Sequence, residues 1–256
     1  MQDAVATLLA VKTGLIIAWM ACLFLAERLI PAVPRPALPR RRLISNAVLW
    51  GLNAVASVLV VVPVTVWACS RALPWRPAWW SGPAGLLLDL LILDGLIYGW
   101  HRLNHEVPLL WRFHSVHHLD RFLDTTTAVR FHLGEVLLSA LARAGVVLLL
   151  AIPLASVLVY ETLLLLATIF HHSNLRLPPR LERALSWFVV TPSIHWVHHH
   201  RVRRDTDSNY ATVLSLWDPL FRTRSPTRRT PGLAIGVEGR EDEALAGLIV
   251  APFRPS

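Results

Sequence analysis

Residues 134–174 read GEVLLSALARAGVVLLLAIPLASVLVYETLLLLATIFHHSN, a long apolar run that ends in His171-His172-Ser173-Asn174. One membrane-spanning helix needs about 20 apolar residues, so the run is long enough for two. Pro153 near its middle places the bend of a helical hairpin. The terminal histidines then sit where the second helix leaves the membrane. Whether they act there depends on what the rest of the chain brings to the same surface.

The composition agrees with a membrane protein. Of 256 residues, 54% are hydrophobic and 16% are charged, with a mean hydropathy of +0.47; a soluble domain carries about 25% charged residues. Residues 4–26, 47–69 and 84–100 are three further spans. The first carries Lys12, lacks a small-residue cleavage site and is too long for a signal-peptide core, so it reads as a retained anchor. Cys22 and Cys69 both fall inside spans, which excludes a disulfide framework and a CxxC metal motif.

The net charge of +8 is arginine charge, since Lys12 is the only lysine. Arg28, Arg35, Arg40, Arg41 and Arg42 lie between the first two spans, against Arg71 and Arg76 between the second and third. The positive-inside rule makes the 27–46 loop cytoplasmic and the 70–83 loop external. Segments 101–133 and 171–256 are then both cytoplasmic. No basic motif interleaved with aromatics appears, so the charge is not read as a nucleic-acid footprint.

All 12 histidines lie between residues 101 and 200, and every cluster falls in those two segments. His101 and His105 are spaced i, i+4, about 40° apart on one helix face. His114, His117 and His118 form an HxxHH motif, and His195, His198 and His199 form a second one. In each, the three imidazoles cover an arc of roughly 100°, wide enough to serve two adjacent metals from one helix. Thr191 and Pro192 supply the helix start for the second motif. His200 turns a further 100° away and is a bystander; His132 reads as an interfacial residue. These eight ligand candidates exceed the four protein ligands that saturate one zinc, which points to a pair of metals. Imidazole suits iron, zinc, copper or nickel alike.

Around the histidines lie further motifs: Asp94-x-x-x-Tyr98-x-x-His101-Arg102-x-x-His105, Leu110-Trp-Arg-Phe-His114-x-Val-His117-His118-x-Asp120, Arg130-Phe-His132-x-x-Glu135, Phe170-His171-His172-Ser-Asn174, Asn209-Tyr210 and Trp217-Asp218-x-Leu220-Phe221-x-Thr223. In this order, from about Asp94 to Thr223, they resemble the fatty acid hydroxylase / sterol desaturase superfamily of integral membrane di-iron oxygenases. Leu133, Ala211 and Arg222 depart from that pattern, standing where the family has Pro, Gly and Gly. The tail from Pro231 to Phe253 is similar to that of short bacterial members.

The resemblance implies an all-α integral membrane fold: four to five transmembrane helices with a cytoplasmic helical cap holding a dinuclear metal site. Residues 1–83 would form an N-terminal transmembrane hairpin, 84–223 the catalytic domain and 224–256 a cytoplasmic tail. It adds His172 as a ninth ligand, leaves His171 able to exchange with it, and leaves Asn174 to hold a metal-bound water. Asp94, two turns before His101, is expected to orient that imidazole, with interfacial solvation as the alternative. Asp89 has no assigned role, and Arg102, Arg112, Arg130 and Glu135 are expected to form salt links that lock the cap. The implied cofactor is two iron ions, which zinc can replace in a purified sample. The implied chemistry is O2-dependent hydroxylation of an unactivated C–H of a lipid (sterol, fatty acyl chain, alkylglycerol or carotenoid). Desaturation, which begins with the same hydrogen abstraction, is the alternative. No haem-binding module is visible in the sequence, so electrons would come from a separate ferredoxin- or cytochrome b5-like partner. A metal transporter is disfavoured because its ligands lie near the bilayer midplane, and a zinc hydrolase because no H-E-x-x-H motif is present.

Overall fold

A computed structural model of the chain describes residues 2–37 and 39–254, with side chains from residue 10 onward. It is all-helical: among the described residues the only β-type pairings are three isolated bridges. Among the described residues twelve α-helices follow in order. The spanning part comprises α1 (Gln2–Leu29), α2 (Arg40–Ala56), α3 (Val62–Ser70), α4 (Gly82–Glu106), α6 (Leu133–Leu150) and α7 (Leu154–His172). The cap comprises α5 (Pro108–His118), α8 (Pro179–Leu185), α9 (Pro192–His198), α10 (Arg203–Thr206), α11 (Trp217–Phe221) and α12 (Leu245–Val250). Helices α2 and α3 form one rod, so five helices are long and apolar enough to cross a membrane.

The second span differs from the sequence reading. It runs from Arg40 to Ser70, 31 residues, and takes in three arginines assigned above to a loop. Within it Ser57–Val61 is a π-turn. Pro63 follows, and it can neither donate to nor fit against the carbonyl four residues earlier; a wider turn before it relieves the ladder. The early start has a chemical cause in Arg42, which is 1% exposed. Its guanidinium donates to Asp120 Oδ1 (2.5 Å) and Asp124 Oδ2 (2.9 Å), to the Phe122 carbonyl (2.7 Å) and to Thr127 Oγ1 (3.0 Å). The loop after α5 is therefore fastened to the head of α2.

Other buried polar groups complete the fastening. Glu27 at the end of α1 accepts from Thr125 Oγ1 and from the Asn174 amide. Arg130 donates to the Val116 carbonyl, to Asn46 Oδ1 and to Asp242. Between spans the contacts are apolar and small. Ala68 of α3 is buried with Ala144 and Val147 of α6, Leu93 of α4, and Val157 and Tyr160 of α7. Small residues let helices approach closely where lipid gives no hydrophobic drive to associate. The hairpin turns through Ala151, at φ 51°, and fully buried Ile152, with Pro153 opening α7. Residues 235–251 return to the cap, where Leu248 and Ala251 are buried against Leu49, Val116 and Leu119.

Removing Arg42 strands two buried carboxylates, a loss of about 3–5 kcal/mol. Arg42→Ala is expected to lower the thermal midpoint of the detergent-solubilised protein sharply. Arg42→Lys is expected to rescue it poorly, because an ammonium cannot reproduce the fork. An unchanged midpoint in the alanine variant would contradict the fastening.

Candidate metal centre

Four elements bring histidines to the cap end of the spans. The last turns of α4 carry His101 and His105, and α5 carries His114, His117 and His118. His172 closes α7, and α9 with its C-cap carries His195, His198 and His199. All nine are buried, none more than 7% exposed. They sort into two groups: His101, His105, His114, His118 and His198 in one, His117, His172, His195 and His199 in the other. Within each group one ring nitrogen per residue lies within 4.8 Å of the rest. The sorting follows helix geometry. Residues i and i+4 stay together on one face while i+3 turns to the other side. Each HxxHH therefore contributes to both groups, and His118 stacks on His199 across them, ring centroids 4.2 Å apart.

Six of the nine rings have their Nδ1 tied down, while the Nδ1 atoms of His118, His195 and His199 are buried without a hydrogen-bond partner. Nδ1–H donates to a backbone carbonyl in four cases: His101 to Tyr210 (2.7 Å), His117 to Arg130 (3.1 Å), His172 to Thr168 (2.8 Å) and His198 to Ser208 (2.6 Å). His114 Nδ1 donates to Glu135 Oε1 at 2.7 Å and His105 Nδ1 to Asp207 Oδ1 at 3.3 Å. A carbonyl can only accept, so these tautomers are fixed and Nε2 is left as a bare lone pair. His117 Nε2 and His172 Nε2 nonetheless face each other at 3.0 Å. With both protons committed elsewhere, no hydrogen bond joins them. The contact sequence continues from His172 to His195 (3.0 Å) and from His195 to His199 (3.1 Å), and in the other group from His114 to His118 (3.2 Å), all between Nε2 atoms. His105 Nε2 and His198 Nε2 are buried with no hydrogen-bond partner.

These observations fit metal ions and little else. Nitrogens bound to a metal at about 2.0–2.1 Å stand roughly 2.9–3.3 Å apart at octahedral to tetrahedral angles, matching the spacings of 3.0–3.2 Å. Burial, reinforced by neighbouring imidazoles, pushes the His117, His118, His195, His198 and His199 rings well below the usual histidine range. They are neutral at pH 7, as ligands must be.

The remaining candidates lie elsewhere. His200 donates to Asp205 Oδ2, outside both groups. His132 caps α6, accepting from the Gly134 amide and reaching the Ile249 carbonyl. His171 is adjacent to His195, ring centroids 4.0 Å apart, but its Nδ1 goes to the Thr212 carbonyl and it joins neither group. Asn174 departs from its expected role: its amide is spent on the Val33 backbone in both directions. Asp94 also departs from its expected role. Two turns of helix place it about 10 Å along the axis from His101, and it accepts instead from Tyr160, Trp217 Nε1 and the Leu214 amide. The residue that positions His101 is Tyr210, whose own amide is held by Asp218. Glu135 touches a ring of the site as well as joining elements. Arg102 pairs with exposed Glu106, Arg112 reaches the Arg254 carbonyl, and Asp89 binds Arg76, Trp80 Nε1 and Ser156. Tyr210 and Arg130 stand in quoted motifs for their side chains, but the role of their carbonyls, and those of Thr168 and Ser208, left no signal in the sequence.

A cavity of about 600 Å³ reaches the histidines from within the spans. Its far part is walled by Ile16, Met20, Trp50, Ile97, Val136 and Leu164, and its near part by His101, His114, His117, His172 and His195.

Comparison with known proteins adds an independent line. The family described as fatty acid hydroxylase matches residues 86–223. The chain is similar to an ornithine lipid hydroxylase of Rhizobium tropici, 29% identical over 69% of this chain and 53% of that protein. It is 36% identical to an alkylglycerol monooxygenase of Danio rerio over 60% of this chain and 32% of the relative. It is 29% identical to a cholesterol 25-hydroxylase of Rattus norvegicus over 73% of this chain and 64% of the relative. These three relatives are thus matched over about a third to two thirds of their length. No solved structure matches the chain.

Two measurements follow. Purified protein is expected to hold about two metal ions, one per cluster. His117→Ala or His198→Ala should lower that content, while His200→Ala should leave it unchanged. A content of one or none, indifferent to these variants, would contradict the paired site. For metal-free protein, the buried rings protonate below their unfolded value of about 6.5, so between the two values the unfolded chain binds more protons. The thermal midpoint is expected to fall as pH drops from 7 towards 5; a flat profile would mean the rings are not held neutral.

Proposed function

The chain belongs to the fatty acid hydroxylase family, and from that premise we propose that it is a membrane-bound di-iron oxygenase that hydroxylates an unactivated C–H of a lipid. The observation that carries this reading is the pair of fixed lone pairs on His117 and His172, 3.0 Å apart at the mouth of an apolar cavity. A lone-pair cluster calls for cations, and the cavity calls for a hydrocarbon. Five histidines (101, 105, 114, 118, 198) would hold one iron and four (117, 172, 195, 199) the other. Bound there, the irons supply the redox chemistry that dioxygen and an unreactive C–H require.

The chain's own contribution is positional. Six rings with fixed tautomers present Nε2 lone pairs to the centre without reorganisation. Glu135 and Asp207 accept from two of the ligand rings, which raises the electron density those rings donate. The cavity holds a chain of methylenes or a sterol skeleton by shape and excludes water from the reacting carbon. The smaller group has four nitrogens and lies against the cavity through His117, His172 and His195, so substrate and dioxygen are assigned to that side. Cap and histidines are assigned to the cytoplasm, where a separate acidic electron carrier meets an arginine-rich surface.

The test is oxidation of a membrane lipid extract by iron-loaded protein with a chemical reductant under isotopically labelled dioxygen. The expected product carries one labelled oxygen atom on a lipid carbon. Ser139→Trp, which fills the cavity from α6, a helix that carries none of the nine histidines, is expected to abolish product while metal content stays unchanged. Product formed without incorporation of label, or with the cavity filled, would overturn the reading.

A further inference from the structure

The two histidine groups differ in the rings that surround them. Trp111 of α5 packs on His105, His118 and His114, with ring centroids 5.0, 5.4 and 6.2 Å away. Tyr210 packs on His105, His101 and His198 at 5.3, 6.0 and 6.0 Å. Every ring of the five-histidine group therefore touches an indole or a phenol, side chains that can give up an electron. Among the described residues no tryptophan or tyrosine ring makes such a contact with the four-histidine group. The ring stacked there is Phe131, 4.4 Å from His117, and a phenyl group resists oxidation.

Oxidisable rings continue outward from Tyr210. Tyr98 of α4 stands 6.3 Å from Tyr210, and half-buried Trp217 of α11 stands 6.3 Å from Tyr98, both ordinary aromatic contacts. Trp111 instead carries the Arg203 guanidinium over its face at 4.4 Å, and a cation there opposes a second positive charge on the indole. Tyr98 also has an outlet for its proton. Thr223 Oγ1 donates its one proton to Asp218 Oδ1 at 2.7 Å, so at 2.9 Å it accepts from the Tyr98 hydroxyl. A phenol that loses an electron must shed its proton, and Tyr98 is 3% exposed, shut off from bulk water. Ring packing alone would be served by phenylalanine, as at Phe221, which stacks on Tyr98 at 5.1 Å. We propose that Tyr98, reached across the Tyr210 ring, is an electron donor that quenches the metal pair when dioxygen has been reduced and no lipid is there to react. Tyr98 gives one electron to the oxidised pair. Its proton goes to Thr223, whose own proton moves to Asp218, and a neutral phenoxyl remains. A small-molecule thiol at the protein's periphery returns one electron by way of Trp217, and the proton comes back from Asp218. Oxidising equivalents are thus drawn off through the five-histidine side, away from the group to which substrate is assigned, and the ligand rings are spared.

This inference rests on the oxygenase reading. Iron-loaded protein in lipid-free detergent receives hydrogen peroxide as the oxidant and is frozen at successive times, and electron paramagnetic resonance reads any radical. Growth on ring-deuterated tyrosine assigns the signal to a phenoxyl. The unaltered protein is expected to give that signal, and membrane lipid extract added before the peroxide is expected to suppress it. At equal iron content the signal should be lost in Tyr98→Phe and slowed in Thr223→Val. Peptide mass spectrometry should then find more oxidised histidine at His101, His105 and His198 in Tyr98→Phe than in the unaltered protein. Iron-loaded unaltered protein without a phenoxyl, or with one that lipid leaves undiminished, would overturn the relay even if both variants failed to fold. The same signal in Tyr98→Phe would overturn it too. Iron content and labelled lipid product are read on the same preparations. Two irons and labelled product without the phenoxyl sink the relay alone. A Tyr98 phenoxyl in protein that never labels a lipid sinks the oxygenase reading alone, and protein that takes up no iron sinks both.

Discussion

The arrangement turns on an electrostatic conflict: nine imidazoles are buried with lone pairs aimed inward. Left in water each ring would be solvated, and brought together unpaired they repel. The chain holds them by working from behind. Backbone carbonyls and two carboxylates take the Nδ1 protons of six of them, so the orientation of those rings is settled by segments that themselves have fixed places in the fold. Tyr210 illustrates the depth of this support, since Asp218 holds its amide while Thr223 binds Asp218 in turn. The closing motif near residue 220 thus reaches His101 through three successive contacts.

The cap can keep such a cluster only if it does not slide on the spans. Arg42 and Glu27 answer that need with buried charge-assisted bonds to the loop that follows α5, and Arg130 of that loop reaches back to Asn46 of α2. Buried ion pairs of this kind are weak contributors to stability compared with apolar packing, but they are exacting about register. Their placement around both ends of residues 120–130 suits a part whose task is alignment. Apolar contacts between spans do the complementary work, with alanines where helices approach.

Much of this was legible in the residues. Apolar runs gave the spans, and the 3.6-residue period explains why HxxHH serves two centres at once. The same period misleads for Asp94: it reports a shared face but not the 10 Å of axial rise that separates it from His101. Arg40–Arg42 resembled loop charge because hydropathy cannot see a partner 78 residues away in Asp120. Carbonyl acceptors carry no residue identity and were invisible. Arg222 shows the opposite case. It stands where the family pattern has glycine, and its backbone is left-handed at φ 59°, a conformation that costs a non-glycine residue roughly 1–2 kcal/mol.

The interleaving of the two histidine groups has a consequence for biosynthesis. The last ligand of one group is His198 and of the other His199. As the chain leaves the ribosome, neither centre has its full set until that point, and both acquire it within one residue of each other. By then all five apolar helices have been made. Under the proposed di-iron reading, metal loading would therefore be a single late event, with neither centre complete before all the spans are made.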